Sequence, residues 1–280
     1  MWTAIVLLAA LTAAGPEAEV GTLDGSSMSG SVVELATDHV TLSADGGNLT
    51  IPAAQLLFVS PKSAPAAAVE KPAVWIELVD GSRLTGKNIA AEKGVATIEV
   101  GEQHFEIPTA AIARIRFSPP DDPSSAWPAD IGKNAAADLL AVRKMEAVDF
   151  LEGVIGDINA ETVNFQIDGD TIPVKRAKID GLIYYHKAAD KRADPVCIID
   201  AAAGWHLKAK NVSLASDGSL AITTVAGPVL HQPWPAVTRL DFSLGKVVAA
   251  RIMVAHESRR NLSSERLRPL KEAPWNSKCD

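Results

Sequence analysis

The sequence predicts a mainly β protein: tandem small β-barrel or meander modules with short linkers and little helix. Three observations predict it. A turn motif recurs at a fixed spacing, short runs alternate apolar and polar residues with a period of two, and proline-rich stretches separate the runs.

The repeat comes first. Leu23-Asp24-Gly25-Ser26, Gly30 and Ile51-Pro52 return as Val79-Asp80-Gly81-Ser82, Gly86 and Ile107-Pro108, each position displaced by 56 with no gap. Asp-Gly-Ser is a turn signal, because Gly accepts positive φ and Asp bonds the backbone two residues on. A glycine a few residues past the turn, inside a strand, marks a bulge or tight bend. A third copy carries Leu151-Glu152-Gly153, Asp168-Gly169 and Ile172-Pro173. A fourth lacks the Asp-Gly-Ser turn and keeps only Gly204 nearby. Its end, Arg239-Leu240-Asp241-Phe242-Ser243, echoes Arg114-Ile115-Arg116-Phe117-Ser118.

Strands follow from the alternation. Val74, Ile76 and Leu78 face opposite to Trp75, Glu77 and Val79, and Val163, Phe165 and Ile167 opposite to Thr162, Asn164 and Gln166; that is the period of a strand with one wet face. Helical patterning is scarce. Ala135 to Arg143 fits about two helical turns or, from Leu139-Leu140, the start of a strand. A module of about 45 residues has room for four or five short strands, and such a sheet removes its edges by curling on itself or packing on a neighbour.

These readings divide the chain. Residues 1–17 read as a signal peptide, 18–61 as the first module, 62–73 as a linker, 74–118 as the second module and 119–136 as a second linker. The third module spans 137–187, the fourth 195–247, and an irregular basic tail 248–280. The first linker, rich in Ala and Pro, suits a semi-rigid spacer. Four prolines between Ser118 and Asp130 argue against regular structure there. At the N-terminus, Trp2 to Ala14 is an apolar run too short to span a bilayer, ending in small residues suited to cleavage, Thr12-Ala13-Ala14. It places the mature protein outside the cytoplasm, periplasmic or secreted, with no transmembrane helix.

Composition narrows the function. The chain is 47% apolar with a net charge of −7, globular rather than disordered, and no global field favours nucleic acid. The charge is uneven: residues 246–280 hold eight Lys or Arg against four acids, leaving the body acidic. Two cysteines, Cys197 and Cys279, make neither a disulfide framework nor a zinc site. The six histidines fall in different modules without ligand spacing, so neither metal nor cofactor is expected. Asp24 and Asp80 serve a repeated turn, whereas a glycosidase needs two carboxylates flanking one bond. Gly25-Ser26-Ser27-Met28-Ser29-Gly30 superficially resembles a nucleophile elbow but lies in a hairpin repeat. No catalytic residue is assigned. Trp205 and Trp234, in the least regular module, are the candidates for stacking on a ligand, set against the packing role usual for Trp.

Ile76 to Gly86 resembles the opening of an Sm-like small β-barrel: a strand, an Asp-Gly turn and a bent second strand with an early glycine. The RNA-binding signatures of that family do not appear. Phe150 to Asp157, Asp168 to Pro173, Gly181 to Tyr185 and Leu240 to Lys246 are similar to the N-terminal β-repeat region of exported bacterial proteins that carry an NPCBM carbohydrate-binding module. The resemblance covers residues 140–247 well and the first two repeats loosely. After Lys246 the pattern stops, so the chain reads as truncated or frameshifted before that module. The resemblance implies a non-enzymatic exported scaffold or binding protein with a carbohydrate or protein partner. The alternatives are an Sm-like nucleic-acid binder and an accessory region of a glycan-acting enzyme.

Overall fold

The computed structural model describes residues 15–246 except 45, 63–70, 129, 133–134, 145–146, 188–191 and 203. The apolar run through Ala14 that the sequence reads as a signal peptide, the basic tail and Cys279 lie outside the described residues. The β structure of the described residues belongs to one compact unit, Met1–Phe242; a second, Ser243–Asp280, is described only at residues 243–246.

The fold is mainly β, antiparallel throughout, with no helix longer than a 3₁₀ turn among the described residues. The first module has β1 (Glu17–Thr22), β2 (Ser27–Leu35), β3 (His39–Ala44), β4 (Gly47–Pro52), a 3₁₀ turn (Ala53–Gln55) and β5 (Leu56–Pro61). The second has β6 (Val74–Leu78), β7 (Arg83–Gly86), β8 (Asn88–Glu92), β9 (Val95–Val100), β10 (Gln103–Pro108), a turn (Thr109–Ala111) and β11 (Ile112–Arg116). The third has β12 (Asp138–Lys144), β13 (Ala147–Ile158), β14 (Thr162–Ile167), β15 (Asp170–Lys175), a turn (Arg176–Lys178) and β16 (Ile179–Ile183). The fourth has β17 (Cys197–Ala201), β18 (Trp205–Leu214), β19 (Ser219–Thr224), β20 (Val229–Pro233), a turn (Trp234–Ala236) and β21 (Val237–Asp241).

Each module has one plan. Four strands meander and the fifth returns to pair with the first, so the spatial order is 4-3-2-1-5, with β7 and β8 sharing the second place. The turn chemistry read from the sequence holds. Gly25 and Gly81 have φ of 86° and 82°, and the Ser26 and Ser82 amides donate to Asp24 and Asp80. Gly204, φ 77°, turns the fourth module the same way.

The strand glycines mark close approach. A Cβ at Gly30 would lie 2.5 Å from the Ser43 carbonyl oxygen, at Gly86 2.6 Å from Ile98, and at Gly153 2.3 Å from the Gln166 carbonyl oxygen. The fourth module has Ala209 in that place, opposite Cys197 as Gly86 is opposite Val74. Each second strand also takes in one extra residue: after Val32, after Gly86, after Ile155 and after Ala209. Such bulges bend a strand and let a small sheet curl.

Of the two readings of Ala135 to Arg143 the strand holds: residues 138–144 are β12, with Leu139, Leu140 and Ala141 buried between β13 and β16. Two expectations are corrected. Leu151-Glu152-Gly153 is not the third module's first turn but lies inside the twelve-residue β13. Pro173 does not end its strand: it pairs with Asn164 within β15, which among the described residues has no second partner strand to miss its N–H. The second linker also holds a 3₁₀ turn, Pro123–Ser125, capped by Asp122, whose carboxylate accepts from the Ser124 amide. Among the described residues the fourth strands β4, β10, β15 and β20 each have a single partner strand.

The modules are not beads on a string. Antiparallel pairing joins β11 to β16 and β5 to β21, linking second module to third and first to fourth. The buried apolar side chains, save Leu139, Ala141 and Ile183, accordingly form one contiguous cluster.

Candidate functional site

The densest buried polar group in the described residues lies where β11 meets β16. Asp180, on β16, is 1% exposed. Ser118 Oγ donates to it at 2.6 Å, Ser125 Oγ at 2.6 Å to one oxygen and 2.7 Å to the other, Trp127 Nε1 at 2.6 Å and Arg143 Nε at 3.2 Å. Arg116 Nη2 stands 3.7 Å away and donates to Ser125 Oγ at 2.6 Å and to the Ser125 carbonyl. The Arg116 guanidinium also lies over the Trp127 ring, 4.7 Å from its centre. Burial pushes the Asp180 carboxyl up, but the hydrogen bonds from Ser118, Ser125, Trp127 and Arg143 outweigh it and hold the group below the usual carboxylate range.

The local sequence explains how these groups arrive. Asp122-Pro123 starts the 3₁₀ turn, with proline at the position where its missing N–H costs nothing, and the turn carries Ser125 and then Trp127 back over the sheet. Gly181 leaves the space: a Cβ there would sit 2.7 Å from the Trp127 ring. The linker is thereby latched across the second and third modules. A cleft of about 560 Å³ opens beside the latch, lined by Asp122, Ser124, Arg143, Lys144 and Asp180 among others.

The arrangement is ill suited to catalysis. A serine becomes a nucleophile when a neighbouring base takes its proton. Here both hydroxyls donate to a carboxylate that is already saturated with donors and depressed in pKa, hence a weak base.

A second polar cluster joins the second and fourth modules. Asp80 accepts from the Ser82 amide at 2.7 Å within its own turn and from the Ala226 amide at 2.8 Å across the joint. Lys208 Nζ donates to the Asp80 carbonyl at 2.8 Å, and the Lys208 amide to the buried Ser82 Oγ at 2.9 Å.

Trp205 belongs to the same joint. It is 2% exposed, packs edge-on against Phe105 with ring centres 4.9 Å apart, and donates Nε1 to the Thr85 carbonyl at 2.9 Å. Trp234 is also 2% exposed. It borders a cleft of about 530 Å³ between the first and fourth modules, beside Glu17, Lys62 and Pro235. Stacking needs an open ring face and neither indole has one, so both are reassigned from ligand stacking to packing. Sequence reasoning missed Asp180, Arg116, Ser118, Ser125 and Lys208. The signal within reach was the Asp-Pro-Ser-Ser turn start in a linker that also holds a Trp.

Among the described residues no group of three or more His, Cys, Asp or Glu converges to hold a metal ion, and no helix is long and apolar enough to cross a membrane. The fold and its polar clusters define an all-β protein of four fused five-stranded modules. Neither protein-family models, nor curated proteins, nor solved structures give a match to this chain.

Proposed function

We propose that the chain is a non-enzymatic scaffold or binding protein working outside the cytoplasm, where it holds a carbohydrate or protein partner. One observation carries the reading: the conspicuous buried polar groups and the Trp205 indole are spent on joints between modules. Asp180, with its four donors, latches a linker; Asp80 and Trp205 tie the fourth module to the second. A chain that commits such groups to rigidity suits holding rather than turnover. The apolar run from Trp2 to Ala14 supports export. The likeness of residues 140–247 to repeats preceding a carbohydrate-binding module supports the partner class, by analogy of fold alone.

The test is expression of the full chain in a bacterial host, followed by fractionation, N-terminal sequencing and binding assays. Export with cleavage near Ala14, and saturable glycan or protein binding without turnover, is the expected result. Retention in the cytoplasm with the N-terminus intact, salt-dependent RNA binding, or glycan hydrolysis abolished by changing one carboxylate overturns it.

A further inference from the structure

The two joints between modules share one register. In the second-to-third joint Ile115 pairs with Leu182, and in the first-to-fourth joint Val59 pairs with Leu240. Each of these four residues is the one that also faces the middle of its own module's first strand: Ile76, Leu140, Val20 and Ile199. Corresponding residues thus meet one another, which is what an isologous, two-fold interface produces.

Two further pairings follow the same rule. Ala91 pairs with Ile158 across the second-to-third joint, and within their own modules they pair with Ala96 and Val163, the first buried residues of their third strands. Arg83 pairs with His206 between the second and fourth modules, and each faces an acid of its own first strand, Glu77 and Asp200.

The bulges then say which modules correspond. In the second and fourth modules the extra residue directly follows the small one, as Lys87 after Gly86 and Lys210 after Ala209. In the first and third it comes farther along, after Val32 and Ile155. An operation taking first to third and second to fourth turns the first-to-fourth joint into the third-to-second joint, and exchanges Arg83 with His206. The pairings of β5 with β21, β11 with β16 and β7 with β18 obey it; the place matching Ala91–Ile158 has no strand pair among the described residues but is bridged by Thr37, whose hydroxyl meets Asn211 and accepts from the Val212 amide.

We infer that the protein is a dimer fused into one chain. Modules one and two form one half, modules three and four the other, and the fifth-strand edges of each half are an interaction surface whose partner is a second half of the same kind. An isolated half would leave β5 and β11 as open edges bearing the core residues Val59 and Ile115, a surface that demands a partner. The linker from 119 to 136 makes the association intramolecular and adds the Asp180 latch, but does not create the interface.

The test is a protease site inserted between Pro128 and Ala135 of the full chain, cut after folding. The cut protein is expected to travel as one species of the intact mass, 29.5 kDa, under native conditions. Its thermal midpoint is expected to rise with protein concentration while that of the uncut chain does not. In the cut protein, Ile115→Asp or Leu240→Asp alone should weaken the association and the two together should separate the halves. Halves that travel apart without any substitution, or a cut protein whose midpoint ignores concentration, would overturn the inference.

Discussion

Asp24-Gly25-Ser26 and Asp80-Gly81-Ser82 are the same three residues in the same turn, yet they live in different places. The first stands in solvent, where Asp24 accepts from the Ser26 amide at 3.0 Å and from the Thr22 hydroxyl at 2.5 Å. The second is pressed against the fourth module: Ser82 is fully buried, and both Asp80 and Ser82 accept from that module's backbone. The local hydrogen bond comes from sequence alone; the energetic weight of the turn comes from what packs on it. A motif repeated for one folding reason has been recruited once for assembly.

Substitutions can break or sharpen that contrast. The largest effect is expected from Trp205→Ala, which empties the joint beside the buried turn and removes the indole donor to the Thr85 carbonyl; about 3–5 kcal/mol should be lost in denaturant unfolding. Asp180→Asn should cost about 3 kcal/mol, since Arg116 and Arg143 lose their buried counter-charge. It also has a pH signature. A carboxylate with a depressed folded pKa stabilises above its unfolded value, about 3.9, and that contribution is lost as pH falls through the lower folded value. Asp180→Asn should therefore flatten the acid limb of the stability curve below about pH 4, measured by urea unfolding across pH. Asp80→Ala should cost about 2 kcal/mol, because the Ser82 and Ala226 amides both lose an acceptor. Asp24→Ala should give the smallest change of the four in thermal midpoint. An equal loss from Asp24→Ala and Asp80→Ala would erase the distinction between the two turns.

The module was largely legible in the sequence because it is written in local physics. Asp-Gly-Ser, the strand glycines and the alternation of Val74, Ile76 and Leu78 each depend on a residue and its near neighbours. The echo of Arg114–Ser118 in Arg239–Ser243 was also sound, since both form corresponding fifth strands. The third module was misread where its hairpin lengthened: Glu152-Gly153 imitates a turn, but β13 runs straight through it.

The joints were not legible. A fifth strand carries the same apolar pattern whichever neighbour it pairs with. Asp180 sits in Lys178-Ile-Asp-Gly181, which reads as ordinary surface until a linker more than fifty residues earlier folds over it. The burial of Trp205 likewise depends on Phe105 and Thr85, in a different module.

The prolines of the fourth strands have a consequence of their own. Among the described residues those four strands have no partner along one side, and an open strand side invites other chains to add on and grow into fibres. Pro52, Pro108 and Pro233 close the ends of β4, β10 and β20, and Pro173 interrupts β15 from within. Lacking an N–H, each leaves a gap in the template that an incoming strand would copy. Among the described residues, each of the four rims thus carries a safeguard against polymerisation.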